Sequence, residues 1–203
     1  MRLSRRQFGA LGLSAILAAC GSKTATSSIS IDPAAQPTRP VTVTGTPLVA
    51  LPGKGADPAV GVTPPTLAGA NFTGTPVTIT PGTGGPMLVV FVAHWCPHCQ
   101  REVPRLVSWI AAGTPPANLQ IFAVSTGVDK KAGNYPPAAW LAKVQWPKPV
   151  LADDDNSSAA QAWGLPGFPY FVLVGADGKV KLRLTGEADI GQLTTQINQA
   201  LAG

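Results

Sequence analysis

The sequence predicts a mixed α/β domain with a central sheet flanked by helices, and three features carry that expectation. From residue 87 onward, segments with strand and helix patterns alternate, and the order closes on a hairpin and one amphipathic helix. Met87-Leu88-Val89-Val90-Phe91-Val92 is apolar without a break, as expected of a strand covered on both faces. That run leads directly into Trp95-Cys96-Pro97-His98-Cys99, where two thiols stand three residues apart.

Ahead of the apolar run, residues 66–68 and 77–80 flank Asn71-Phe72-Thr73-Gly74 and read as a hairpin. After it, a helix is expected over residues 96–111, with Pro104 tolerated as a kink. Residues 119–125 form a second buried strand. Residues 137–145 are helical, with proline near the start and Trp140, Leu141 and Val144 on one face. Val150-Leu151-Ala152 is a short strand, and residues 157–163 a short helix closed by Gly164. Asp153-Asp154-Asp155-Asn156 lacks the glycine and closing glutamate of a calcium loop, so it is expected to cap that helix. Residues 170–174 and 180–184 pair across Ala176-Asp177-Gly178-Lys179, with Val180, Leu182 and Leu184 alternating with Lys181 and Arg183. The last helix places Ile190, Leu193, Ile197 and Leu201 on one stripe.

The chain of 203 residues has room for one full core plus appendages. Its 22 Gly and 21 Pro exceed ordinary usage and gather early, as in a linker. The first 19 residues read as a removable leader. Ser4-Arg5-Arg6-Gln7-Phe8 is a twin-arginine pattern, and the apolar stretch over residues 11–19 is too short to cross a bilayer. Leu17-Ala18-Ala19-Cys20 resembles a bacterial lipoprotein processing site, which makes Cys20 the expected lipidation site and the new N-terminus. The protein is thus expected to be exported and anchored by lipid on the outer face of the cell membrane. Residues 20–47 read as a flexible spacer and residues 48–203 as the domain, its core starting near 64; residues 48–65 resist assignment. The formal charge of +5 is inflated by the leader. Removing Arg2, Arg5 and Arg6 from the 15 basic residues leaves 12 against 10 acidic, with no basic tract suited to nucleic acid.

With Cys20 assigned to lipid, Cys96 and Cys99 are the two remaining thiols, and no pair is left for a structural disulfide. An exported protein whose spare thiols stand at i and i+3 is expected to use them for chemistry. On the first turn of a helix they share one face within disulfide reach. Cys96, at the helix N-terminus, gains from unpaired N–H groups and the macrodipole, which favour the thiolate that attacks disulfides. Cys99, one turn deeper, suits the resolving role. His98 can add positive charge and a donor near Cys96, and a more stable thiolate makes the disulfide more oxidising. No metal is expected, since His94 and His98 are the chain's two histidines and no second cysteine pair is present. The dithiol carries the electrons itself, so no cofactor is expected.

Residues 86–106, Pro-Met-Leu-Val-Val-Phe-Val-Ala-His-Trp-Cys-Pro-His-Cys-Gln-Arg-Glu-Val-Pro-Arg-Leu, resemble the TlpA/ResA branch of the thioredoxin superfamily. The likeness continues through Gly164-Leu165-Pro166-Gly167-Phe168-Pro169 to Asp177-Gly178-Lys179. It implies a thioredoxin-like fold with a central mixed sheet, an N-terminal β-hairpin extension and a βα insertion. It also implies a cis peptide before Pro169, lying against the two cysteines, and a role for Glu102 in tuning thiol ionisation; the bland alternative for Glu102 is a solvated helix carboxylate. Pro104 matches the helix-kinking proline. His94 replaces a small or hydroxyl residue and reads as an exposed loop histidine, the alternative being that it modulates Cys96. Val90 stands where thioredoxin carries a buried acid. Trp95 is expected beside the motif, and Phe168, larger than usual before this proline, to contact a bound peptide. Pro97-His98 is the dipeptide of the strongly oxidising DsbA proteins, whereas the scaffold resembles a reducing branch.

The function expected from these residues is thiol–disulfide exchange with exported proteins, the oxidase direction slightly favoured. The partner would then be a quinone-linked oxidase of the membrane, or a thiol reductant donor if the protein is a reductase in cytochrome c maturation. A peroxidase is disfavoured, because Val89-Val90-Phe91-Val92-Ala93 lacks the proline and threonine that precede a peroxidatic cysteine. A lipoprotein that binds a metal or partner passively is the non-enzymatic alternative.

Overall fold

A computed structural model describes residues 35–203. The twin-arginine leader, Cys20 and the first part of the spacer lie outside the described residues. Eight strands and four helices follow: β1 (Thr42–Thr44), β2 (Thr66–Ala70), β3 (Pro76–Ile79), β4 (Met87–Val92), α1 (Pro97–Ala111), β5 (Gln120–Ser125), α2 (Pro137–Lys143), β6 (Val150–Ala152), α3 (Ser158–Ala162), β7 (Tyr170–Val174), β8 (Val180–Thr185) and α4 (Ile190–Ala202). Five strands form the central sheet in the order β6-β5-β4-β7-β8. β4 runs parallel to β5 and antiparallel to β7, so the sheet is mixed.

All six residues of β4 are buried, and its two faces feed two halves of the core. Leu88, Val90 and Val92 pack with Val103 and Leu106 of α1 and Leu193 and Ile197 of α4. Met87, Val89 and Phe91 pack with Leu67, Ile79, Leu151 and the α3 alanines. The two-residue period of a strand divides the core in this way. Within the first of these layers, Trp109 of α1 donates its indole N–H to Thr194 Oγ1 of α4 at 3.0 Å.

The predicted hairpin is present, with Leu67 opposite Ile79, and it gains an unforeseen third strand. β1 pairs antiparallel with β2, placing Val43 opposite Leu67. The spacer expected to reach residue 47 therefore gives way to ordered chain earlier: Gln36 N–H donates to Phe72 O and Arg39 N–H to Asp153 O. α1 starts one residue late, α2 ends early at Lys143, and α3 is a residue shorter at each end than expected. The acidic turn does cap α3. Asp153 accepts from Ala159 and Ala160 N–H, and Asp154 from Asn156 and Ser158 N–H.

One unassigned stretch finds its place and one expectation is corrected. Residues 48–65 show no period because their hydrogen bonds go outward: Leu48 and Leu51 N–H donate to Ala162 O and Gly164 O, and Gly61 and Val62 bond to Val180. The correction concerns Arg183, expected on the face opposite Val180 yet buried. A bulge explains it. Val180 pairs with Val174 but Leu182 with Leu173, so Lys181 is an extra residue that flips the parity of the strand. Arg183 then enters the core, where Nε donates to Asp57 Oδ2 at 2.8 Å and Nη2 to Asp57 Oδ1. Nη1 donates to Val49 O at 2.8 Å and to the Tyr170 hydroxyl at 3.1 Å. Gly164, at φ +71°, permits this clasp, because a Cβ there would lie 2.4 Å from Val49 O.

The Arg183 guanidinium holds the Asp57 carboxyl below its usual range. A depressed carboxyl contributes stability that is fully present above its unfolded value and is lost as pH falls through the folded one. Asp57→Ala leaves Arg183 buried without its counter-ion and is expected to lower unfolding free energy by roughly 3–5 kcal/mol at neutral pH. Urea unfolding checks this, and the difference from wild type should shrink below about pH 4.

Candidate active site

β4 ends at Val92, and its extension turns at residues 93–96 before α1 begins. Cys96 is the N-cap of α1, extended at φ −71° and ψ 119°, and Pro97 takes the first helical position. The helix thus starts one residue later than expected. The turn is held by Cys96 N–H on Ala93 O at 3.1 Å and by Gln100 N–H on Cys96 O at 3.0 Å. Gln100 Nε2 also donates to His94 O. No acidic side chain stands in the first turn to oppose a thiolate at the cap.

The two thiols are free and unequal. Cys96 keeps 5% of its surface exposed and Cys99 none, so Cys96 is the sulfur a partner can reach. Burial pushes the Cys99 thiol far up, with smaller contributions from the Cys96 and Glu102 charges. Across from the motif, the Phe168–Pro169 peptide is cis, and Phe168 O faces Cys96 Sγ at 3.9 Å. Pro169 is buried at the start of β7. Trp95 stacks edge-on against Phe168, their ring centroids 5.7 Å apart, and donates its indole N–H to Gly127 O at 2.7 Å. Gly127 has φ +61°, a conformation that favours glycine, and packs against the Phe168 ring. Trp95, Cys96 and Phe168 thus lie side by side at the sheet's end.

Glu102 is fully buried one turn below Cys99, not a solvated helix carboxylate. Arg105 Nη1 approaches its Oε2 at 3.6 Å, and neither oxygen makes a hydrogen bond of full geometry. Burial pushes this carboxyl up, against the weaker pull of the Ala188 backbone and Arg105.

His94 corrects a second expectation: it is fully buried rather than exposed. Asp129 N–H donates to Nε2 at 3.2 Å, so the proton sits on Nδ1, which donates to Gly133 O at 2.8 Å. Both ring nitrogens are thus engaged by Asp129 and Gly133, which tie that loop beside the motif.

His98 is exposed, and its Nδ1 lies 2.7 Å from Glu187 Oε1 in the loop between β8 and α4. Arg101 Nε donates to the same oxygen at 2.9 Å, and Arg105 Nη1 reaches Oε2 at 3.4 Å. The Arg101 hydrogen bond, followed by that of His98, holds the Glu187 carboxyl down to about 2. Glu187 escaped sequence reasoning. The available signal was the cationic stripe His98, Arg101 and Arg105 on one helix face, which calls for an acid opposite.

A thioredoxin-like fold with a dithiol at the start of α1 defines a class of redox-active protein. The chain belongs to the AhpC/TSA family, whose sequence profile matches residues 60–183. It is 30% identical over 116 residues to the thiol:disulfide interchange protein HelX of Rhodobacter capsulatus, a stretch covering 57% of this chain and 61% of that relative. Among solved structures, a candidate thiol:disulfide interchange protein DsbE from Chlorobium tepidum superposes with a TM-score of 0.55 at 28% identity, over 70% of this chain and 96% of the other. The thioredoxin domain of a thiol-disulfide oxidoreductase from Bacteroides vulgatus gives 0.51 at 25% identity, over 70% and 96%. StoA of Bacillus subtilis, at 19% identity and 0.54 over 68% and 98%, shares the fold.

Because the folded-state Glu102 carboxyl is raised, its proton stabilises the fold below the unfolded value, and stability falls as pH climbs through the folded one. Glu102→Gln is expected to remove that decline and to gain roughly 1–3 kcal/mol at pH 8 relative to pH 4. Denaturant titrations of both proteins at the two pH values check it.

Proposed function

We propose that this protein exchanges disulfides with exported proteins through the Cys96–Cys99 pair. The observation that carries the reading is the unequal burial of two thiols one helical turn apart, beside the cis-Pro169 loop. In the oxidising direction a substrate thiolate attacks Cys96 Sγ of the disulfide, forming the mixed disulfide and breaking the Cys96–Cys99 bond. Cys99 leaves and takes a proton, which its buried setting retains. A second substrate thiolate then attacks the substrate sulfur and releases Cys96 as thiolate. Two electrons pass from the substrate dithiol to the Cys96–Cys99 pair, and a quinone-linked oxidase of the membrane takes them onward. Pro97 sets the helix start, Pro169 leaves the Phe168 carbonyl against Cys96, and Trp95 and Phe168 offer an apolar shelf to the substrate chain. Glu102 tunes the return of the proton to Cys99.

The Pro97-His98 dipeptide supports the oxidising direction. One observation favours the reverse: His98 is engaged by Glu187. In that direction Cys96 thiolate attacks a substrate disulfide, Cys99 resolves it, and a thiol reductant donor restores the dithiol, as in a cytochrome c maturation reductase. Processing at Cys20 would tether either version to the outer face of the membrane, with the spacer carrying the domain. Among the described residues no helix is long and apolar enough to cross a membrane.

Cys99→Ser should accumulate mixed disulfides with thiol-bearing exported proteins, and Cys96→Ser should not, as resolved on non-reducing gels. Equal trapping by both variants, or none, would sink the reading. The reduction potential then separates the directions. A value near about −120 mV supports the oxidase, and one below about −270 mV supports the reductase.

A further inference from the structure

Glu187 takes no part in the exchange steps themselves, yet it gathers a cluster beside the dithiol. Its members come from two elements: His98, Arg101 and Arg105 from the first three turns of α1, and Glu187 from the loop that enters α4. Nδ1 of His98 lies 2.7 Å from Glu187 Oε1 and 2.9 Å from Arg101 Nη2. A ring nitrogen cannot donate and accept at once. The carboxylate contact at 2.7 Å requires the proton on Nδ1, so the hydrogen bond runs from His98 to Glu187. Arg101 then donates to Oε1 as well, leaving one oxygen with donors from both the imidazole and the guanidinium. The remaining charged neighbours are Glu102, which faces Glu187 across Arg105, and Asp189, whose carboxylate is engaged in capping Gln192 N–H.

Two consequences follow for Cys96, two residues before His98. The donor that the Pro97-His98 dipeptide could offer to a thiolate points at a carboxylate instead. The Arg101 guanidinium, which the Cys96 thiolate also stabilises, is held chiefly by Glu187.

We propose that Glu187 is a positioning residue that tempers the oxidising power of the site: it draws His98 and Arg101 onto its own charge and so weakens their support of the Cys96 thiolate. This rests on the exchange reading above. Glu187 touches no reacting sulfur and acts through His98 and Arg101. Its removal is expected to make the Cys96–Cys99 disulfide more oxidising, and removal of Arg101 to make it less so.

The test is the equilibrium constant of the domain with reduced and oxidised glutathione, taken near pH 5.5, where an imidazole ordinarily carries its proton. Glu187→Gln keeps the acceptor shape and loses the charge, and should shift the constant about tenfold toward the reduced protein, ~30 mV for a two-electron couple. Glu187→Asp, which keeps the charge, should stay within about threefold of wild type, and Glu187→Gln combined with Arg101→Gln should return toward it. The rate of Cys96 alkylation under the same conditions should rise in Glu187→Gln and fall in Arg101→Gln. An unchanged or more reducing Glu187→Gln, or an Arg101→Gln with an unchanged constant, would overturn the proposal, the second holding even if Glu187→Gln does not fold. A wild-type domain that fails to equilibrate with glutathione would instead remove the exchange reading itself.

Discussion

The complete burial of β4 is the constraint on which the rest of the structure depends. A strand covered on both faces has to leave the sheet at its end, and here it leaves into a tight turn and a helix that folds back over one face. That turn makes Cys96 the cap of α1 and sends Cys99 one turn inward, where Val103 and Leu106 continue the same buried stripe. The difference between the two thiols is therefore a product of packing. The antiparallel neighbour β7 begins at the same end of the sheet, which brings Phe168 and Pro169 against Cys96.

Charge is handled in two contrasting ways. Arg183 is taken into the core and satisfied by Asp57, Val49 and Tyr170, so it ties residues 48–65 to the sheet. Isolated buried charges are costly, and this one is tolerated because its donors are met from three directions. Glu187 instead gathers His98, Arg101 and Arg105 at the half-exposed rim of the dithiol, where solvent weakens each pair and its contribution to stability. Glu102 is a third case, a carboxyl buried without a full hydrogen bond at a cost in stability.

The central sheet, the hairpin of β2 and β3 and the position of the two thiols were legible because each rests on a local period or a short motif. β1 was missed because Thr42-Val43-Thr44 is brief and sits in a stretch rich in proline and threonine. Residues 48–65 were opaque because, beside a few local turn bonds, the contacts that place them reach to Ala162, Gly164, Val180 and Arg183 far along the chain. Arg183 was misplaced by one bulged residue, which no period reveals in advance. His94 looked like a loop residue, and only the fold shows Gly133 and Asp129 closing around its ring. Glu187 stands 89 positions from His98, so the pair could be inferred only from the unpaired cationic stripe.

The central claim is that packing makes Cys96 the reactive sulfur and Cys99 the protected one. Substoichiometric iodoacetamide added to the reduced domain at neutral pH, with the labelled cysteine located by peptide mass mapping, tests it most directly. The account predicts labelling of Cys96 at least about tenfold over Cys99, since an unexposed thiol held in its protonated form is a poor nucleophile. Equal labelling, or Cys99 labelled first, would contradict it.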